Sequence, residues 1–154
     1  MNLFGLMETS GSAMQAERVR AEVVAANMAN AETTRTADGG PYRRQHVVFA
    51  ANGGANFAES LAPHLDDLPG ASTESLPAGG VRIERVIEDP APPLRRYDPG
   101  HPDAGPDGYV AYPDINPLTE MVDLMGATRA YGLNGSAVQA EKGMIAAALE
   151  IAKS

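Results

Sequence analysis

The chain reads as α+β: long N- and C-terminal helices pair as an antiparallel coiled-coil hairpin, with a small Gly/Pro-rich β insert between them. Three observations lead there. Residues 3 to about 31 contain no proline, whereas residues 36 to 115 are rich in glycine and proline. Both ends of the chain carry small and apolar residues at a 3-4 spacing. The middle carries short runs of alternating apolar and polar residues. Period 3.5 marks a helical seam and period 2 a half-buried strand.

The first zone is residues 1–35. Met7, Ser10, Met14, Ala21, Val24, Met28 and Ala31 follow the seam, with Glu17 as its one charged break. Methionine and alanine dominate, so a neighbouring helix approaches closely and adjusts. Asn27 and Asn30 stand three apart near the helix end. Their amides suit two roles: capping the last carbonyls or bridging to an adjacent subunit.

The third zone is residues 116–154. Asn116-Pro117-Leu118 reads as an N-cap followed by proline at the first helical position. Met121, Leu124, Thr128, Tyr131, Gly135, Val138, Ile145, Leu149 and Ala152 continue the seam, and Lys142 interrupts it. A helix from Leu118 to Ala152 is about 50 Å long at 1.5 Å per residue. A small domain leaves much of such a helix uncovered, so neighbours are expected to cover it.

The middle zone, 36–115, holds three expected strands: Arg43 to Ala50, Val81 to Ile87 and Tyr109 to Tyr112. The adjacent pair Val86-Ile87 breaks the alternation and predicts a bulge there. Ala51 to Gly80, with two Gly-Gly pairs and Pro63, Pro69 and Pro77, reads as a mobile loop at about 51–80. Residues 55 to 115 carry eleven acids against four bases, which accounts for nearly all of the net charge of −8. The helical ends are close to neutral, which suits packing against copies of themselves.

Composition excludes several functions. An acidic chain is a poor ligand for nucleic acid or for an anionic membrane surface. There is no cysteine, hence no disulfide or thiolate chemistry. Aromatic residues make up 5% and tryptophan is absent, so the core is thin and neighbours are expected to supply stability. The first eight residues lack the basic and apolar regions of a secretory signal, and no run is long enough to insert in a membrane.

Catalytic chemistry finds little support. Asp98, His101 and Asp103 form a D-x-x-H-x-D cluster, but Pro99, Gly100 and Pro102 make it first a turn and only second a metal site. No nucleophile-elbow, zinc-protease or phosphate-loop motif is present. The basic pairs Arg43-Arg44 and Arg95-Arg96 read as solvated strand positions or salt bridges. No cofactor is expected and the chain reads as a non-enzyme.

Ala26-Asn27-Met28-Ala29-Asn30-Ala31 with Thr33-Thr34-Arg35 resembles the N-terminal signature of flagellar rod and hook proteins. Glu120 to Met125 with Ala127-Thr128-Arg129-Ala130-Tyr131 resembles their C-terminal helix. Gly39 to Arg44 and Tyr97 to Ala104 narrow the resemblance to one branch of that family. The resemblance covers roughly 1–50 and 80–154. It implies a structural subunit of the bacterial flagellar basal-body rod, the drive shaft that transmits torque from the motor ring to the hook. Such a subunit leaves through the flagellar type III export apparatus without a cleaved signal peptide and polymerises in the periplasm. Its partners are copies of itself, sister rod proteins, a motor-ring adaptor and a rod-cap protein. The assembly interface then falls on Met7, Met14, Ala21, Val24, Asn27, Met28, Asn30, Met121, Leu124, Thr128, Tyr131, Val138, Ile145 and Leu149. Two features depart from the family pattern: the stretch from Ala51 to Gly80 is long, and Gly126, Gly132, Gly135 and Gly143 interrupt the C-terminal helix. The competing readings are a periplasmic metal-dependent cell-wall hydrolase and a cytoplasmic coiled-coil adaptor.

Overall fold

The computed structural model describes residues 3–52 and 79–153. The expected mobile loop lies outside the described residues apart from its ends. Helix α1 spans Leu3–Ala29 and helix α2 spans Pro117–Lys153. Between them run four strands: β1 Gln45–Ala51, β2 Val81–Glu88, β3 Leu94–Tyr97 and β4 Tyr109–Tyr112.

The two helices pack against each other in opposite directions. Asn27 near the end of α1 meets Glu120 near the start of α2, and Met14 reaches the backbone at Gly135. Two of the four glycines in α2 face α1 at ordinary contact distance, with room for a methyl group. A side chain at Gly126 would sit 4.0 Å from Arg20 Nη2, and one at Gly135 3.8 Å from the Met14 methyl. Gly132 and Gly143 face open space.

The ends of the helices follow local rules. Asn116 Oδ1 accepts from Leu118 N at 3.0 Å, so the N-cap with proline at the first position forms as expected. At the end of α1, Asn30 Nδ2 donates to Ala26 O at 2.9 Å. The capping is done by the amide and not by a left-handed backbone, since no residue other than glycine has positive φ among the described residues.

The strands form two separate antiparallel pairs, β1 with β2 and β3 with β4. Strand β4 runs Tyr109–Tyr112, as expected. The bulge in β2 falls earlier than expected. Val48 pairs with Arg85 and Phe49 with Ile83, which leaves Glu84 as the extra residue; Val86 and Ile87 stay in register. Strand β3 is not among the three expected strands, although its arginine pair reads as solvated strand positions. Its Leu94-Arg95-Arg96-Tyr97 sequence holds two charges, and each finds a partner across the pair. Arg95 bonds Asp107 and lies over the Tyr109 ring; Arg96 lies 3.9 Å from the Tyr112 ring centre.

The first β pair is held on α1 by a close approach. Val81 N donates to Ser12 Oγ at 3.1 Å, and a side chain at Gly80 would come within 2.6 Å of that oxygen. Gly80 also has φ of 103°, so only glycine fits. The buried apolar set is small: Ala16, Val24, Val110, Tyr112, Ile115 and Ala127.

Two consequences follow. Ala127 is fully buried in α2. Ala127→Leu should lower stability by about 1–3 kcal/mol through overpacking, read as a lower urea midpoint. Asp89 is held below the ordinary carboxylate range by the Ala91 N–H and then His46, and Asp107 by the Tyr109 N–H and then Arg95. Lowered values stabilise the fold above the unfolded carboxylate value and lose that contribution as pH falls through the folded one. The unfolding temperature should therefore drop on acidification below about pH 4. Asp107→Asn should flatten that drop.

Candidate assembly site

Three elements meet at the open end of the hairpin, and one amide joins them. Asn27 is 1% exposed. Its Nδ2 donates to Gln45 O at 2.9 Å and to Glu120 Oε2 at 3.1 Å. Its Oδ1 accepts from Gln45 N at 2.9 Å and from the Tyr42 hydroxyl at 3.2 Å. A side-chain amide has two donors and two acceptor positions, and all four are used.

Glu120 is equally buried, at 1% exposed, and is neutralised in place. Arg44 Nε donates to Glu120 Oε1 at 2.7 Å. Arg44 also lies 3.7 Å from Asp123, and Arg20 lies 3.5 Å from the same carboxylate. A buried carboxylate without such a partner is strongly destabilising. Tyr42 is pushed up in pKa, first by burial and then by the negative charges of Glu88 and Glu120.

The expected interface residues divide by their surroundings. Val24 and Asn27 are buried within the subunit, and Met7, Met14, Ala21, Met28 and Asn30 are half-buried along α1. In α2, Leu124, Val138 and Ile145 are half-buried, while Met121, Thr128, Tyr131 and Leu149 are exposed. The inward stripe of α2 instead passes through Glu120, Ala127 and Glu141. It begins one residue before the expected Met121. A glutamate at a seam position argues against a buried stripe, and only Arg44 and Asn27, far off in the chain, make it tolerable.

A second surface faces away from α1. Leu118, Val122, Met125, Leu133 and Met144 are exposed and fall on one side of α2, with Arg129 and Ser136 between them. Leu133 is 67% exposed. Gly132 and Gly143 lie on the same side.

The D-x-x-H-x-D cluster is a turn whose groups are engaged locally. His101 Nδ1 accepts from Asp103 N at 3.1 Å, and the Asp103 carboxylate accepts from Thr34 Oγ1 at 2.8 Å and pairs with Arg35 at 3.4 Å. Among the described residues no three metal-ligating side chains converge, and no helix is long and apolar enough to cross a membrane.

A two-helix frame around a β insert, with a wide apolar face turned outward, is the form of a structural subunit. Residues 7–35 match the family described as flagella basal body rod protein. Residues 107–151 match that described as flagellar basal body rod FlgEFG protein C-terminal. The flagellar basal-body rod protein FlgC of Bacillus subtilis is 40% identical over 157 residues, covering 99% of this chain and 100% of that protein. FlgC of Borreliella burgdorferi is 36% identical, with 98% of each chain covered, and FlgC of Escherichia coli O157:H7 is 37% identical, with 94% of each covered. The chain belongs to the flagellar basal-body rod protein family.

The joint gives a direct test. Asn27→Ala should cost about 2–3 kcal/mol by leaving buried groups at Gln45 and Glu120 unpaired. Asn27→Asp should be worse, because it sets a second carboxylate against Glu120. Chemical denaturation of the purified subunit measures both.

Proposed function

We infer that this chain, a structural subunit of the flagellar basal-body rod, polymerises through its terminal helices with copies of itself and with sister rod proteins. The observation that carries this is the outward face of α2. Leu118, Val122, Met125, Leu133 and Met144 leave a largely apolar side, interrupted by Arg129 and Ser136, on a 37-residue helix that the subunit itself does not cover. Stripes of that extent mark interaction surfaces. Gly132 and Gly143 each cost about 1 kcal/mol in an exposed helix. Close approach of a neighbouring helix offsets that cost.

In this reading the hairpin is a coiled coil, supported by the seven-residue recurrence of Glu120, Ala127, half-buried Asn134 and Glu141. The half-buried seam residues, Met7, Met14, Ala21, Met28, Leu124, Val138 and Ile145, hold the hairpin together. The exposed ones, Met121, Thr128, Tyr131 and Leu149, extend the contact surface. The acidic β insert forms an outer layer and the helices an inner tube. The assembled rod carries torque from the motor ring to the hook. The subunit reaches the periplasm through the flagellar type III export apparatus without a cleaved signal, and it meets a motor-ring adaptor and a rod-cap protein there. Contacts between unlike faces that do not close on themselves build such a helical shaft.

The test is a charge on the outward face. Leu133→Asp should fold and be secreted like the wild type, since Leu133 touches solvent in the free subunit. A charge desolvated without a partner in the assembled state costs several kcal/mol. The variant should be missing from purified basal bodies and the cells should lack hooks. Normal swimming would remove this face from the assembly.

A further inference from the structure

Glu141 breaks the rule that buried charge is paired. It is 2% exposed, and neither carboxylate oxygen has a hydrogen-bond partner among the described residues. The contrast with Glu120, about six turns away on the same buried stripe, is direct: that carboxylate is met by Arg44 and Asn27. Buried polar groups in native proteins are satisfied with few exceptions, and each exception calls for a cause. Residues that break a local rule with no gain inside the fold concentrate at functional sites.

The position of Glu141 suggests the cause. Asn27 lies against Glu120, Arg20 against Asp123, and Met14 against Gly135. Continued at helical rise, this pairing sets Glu141 level with about residue 8 of α1. That is the far end of the hairpin from the Asn27 joint. Beyond Glu141 only Ile145 of α2 is even half-buried, up to Lys153. The first turns of α1 therefore pack there with little apolar support and over an uncompensated charge.

The missing cation has a source in the chain itself. Arg129, Lys142 and Lys153 are the three bases of α2, all are exposed, and none forms an ion pair among the described residues. The two arginines of α1 are engaged, Arg18 with Glu22 and Arg20 with Glu17 and Asp123. A buried acid without a base, and bases without acids on the same helix, are complementary between copies.

We propose that Glu141 is an intersubunit ligand: in the assembled rod its carboxylate binds a cationic side chain of α2 from a second copy of this chain. The first turns of α1 shift to admit that side chain. In the free subunit the vacancy is a local weakness, and in the polymer it is a specific contact that a wrongly registered neighbour does not supply.

The inference rests on the rod reading, and the experiment separates the two. Wild-type, Glu141→Leu and Glu141→Gln chains are each expressed as the sole copy, and each is measured for thermal unfolding of the free subunit, secretion, and incorporation into purified basal bodies. The Leu variant should unfold at a higher temperature than wild type and be secreted equally. Its incorporation should fall at least about tenfold, as for loss of one partner of a desolvated charge pair. If Leu does not fold, Gln, which keeps the shape and removes the charge, carries the same expectation for incorporation. Glu141→Lys should also fail, and reversal of Arg129, Lys142 or Lys153 to Glu in the same chain should restore hooks. Wild-type incorporation by the Leu or Gln variant overturns the inference, and absence of rescue by all three reversals overturns the assignment to a second copy. Absence of the wild-type chain from basal bodies would instead overturn the rod reading.

Discussion

The side-chain amide of Asn27 has four hydrogen-bonding positions, and the fold uses each of them on a different group. Through them α1 is tied to the start of β1 and to the first turn of α2. The rest of the subunit depends on that joint because it gathers α1, β1 and α2 at one point, with the Arg44–Glu120 pair beside it. The buried apolar residues are few, and alanine and valine are prominent among them. Aromatic surface, the usual source of burial energy, is scarce. With a thin core, orientation is set by polar groups that have only one satisfied arrangement.

The joint also explains the placement of charge. Glu120 is tolerable in a helix seam only because Arg44 stands beside it, and Arg44 is held by the strand that Asn27 anchors. Asp123 extends the same cluster by drawing in Arg20 from α1. Loss of Arg44 would leave the buried Glu120 carboxylate without its counterpart, whereas Asp123 keeps Arg20 and is partly solvated. The far end of the hairpin has no such arrangement. The subunit is therefore firm where the insert meets the helices and weakly specified where the helices run on alone.

Much of this was legible in the residues. The N-cap at Asn116, the terminal helices and strand β4 follow from local rules that act within a few positions, and the structure obeys them. The pair of asparagines was visible as a motif, but not their division of labour. Asn30 bonds its own helix, as a cap does, while Asn27 acts across 93 residues of chain to Glu120. Strand β3 is missing from the expected strands because its arginines are stabilised by Asp107 and by tyrosine rings in a strand that pairs with it only after folding. The inward stripe of α2 was displaced by one residue for the same reason. A glutamate argues for solvent until a distant arginine is known. Glu141 carried no sequence signal at all, since its oddity is the absence of a partner.

The span of the Asn27 joint has a kinetic meaning. Contacts between residues far apart in the chain form late, because the intervening loop must be closed before they return any stability. In chain order α1 comes first and meets β1 and β2 through Asn27 and Ser12, yet its tie to Glu120 waits for the last helix. Most helical stability in proteins comes from packing of a helix face and not from propensity. The subunit thus carries a built-in delay. The hairpin closes only when the last helix arrives. With a thin core, closure of that hairpin through contacts spanning most of the chain is the late event of folding.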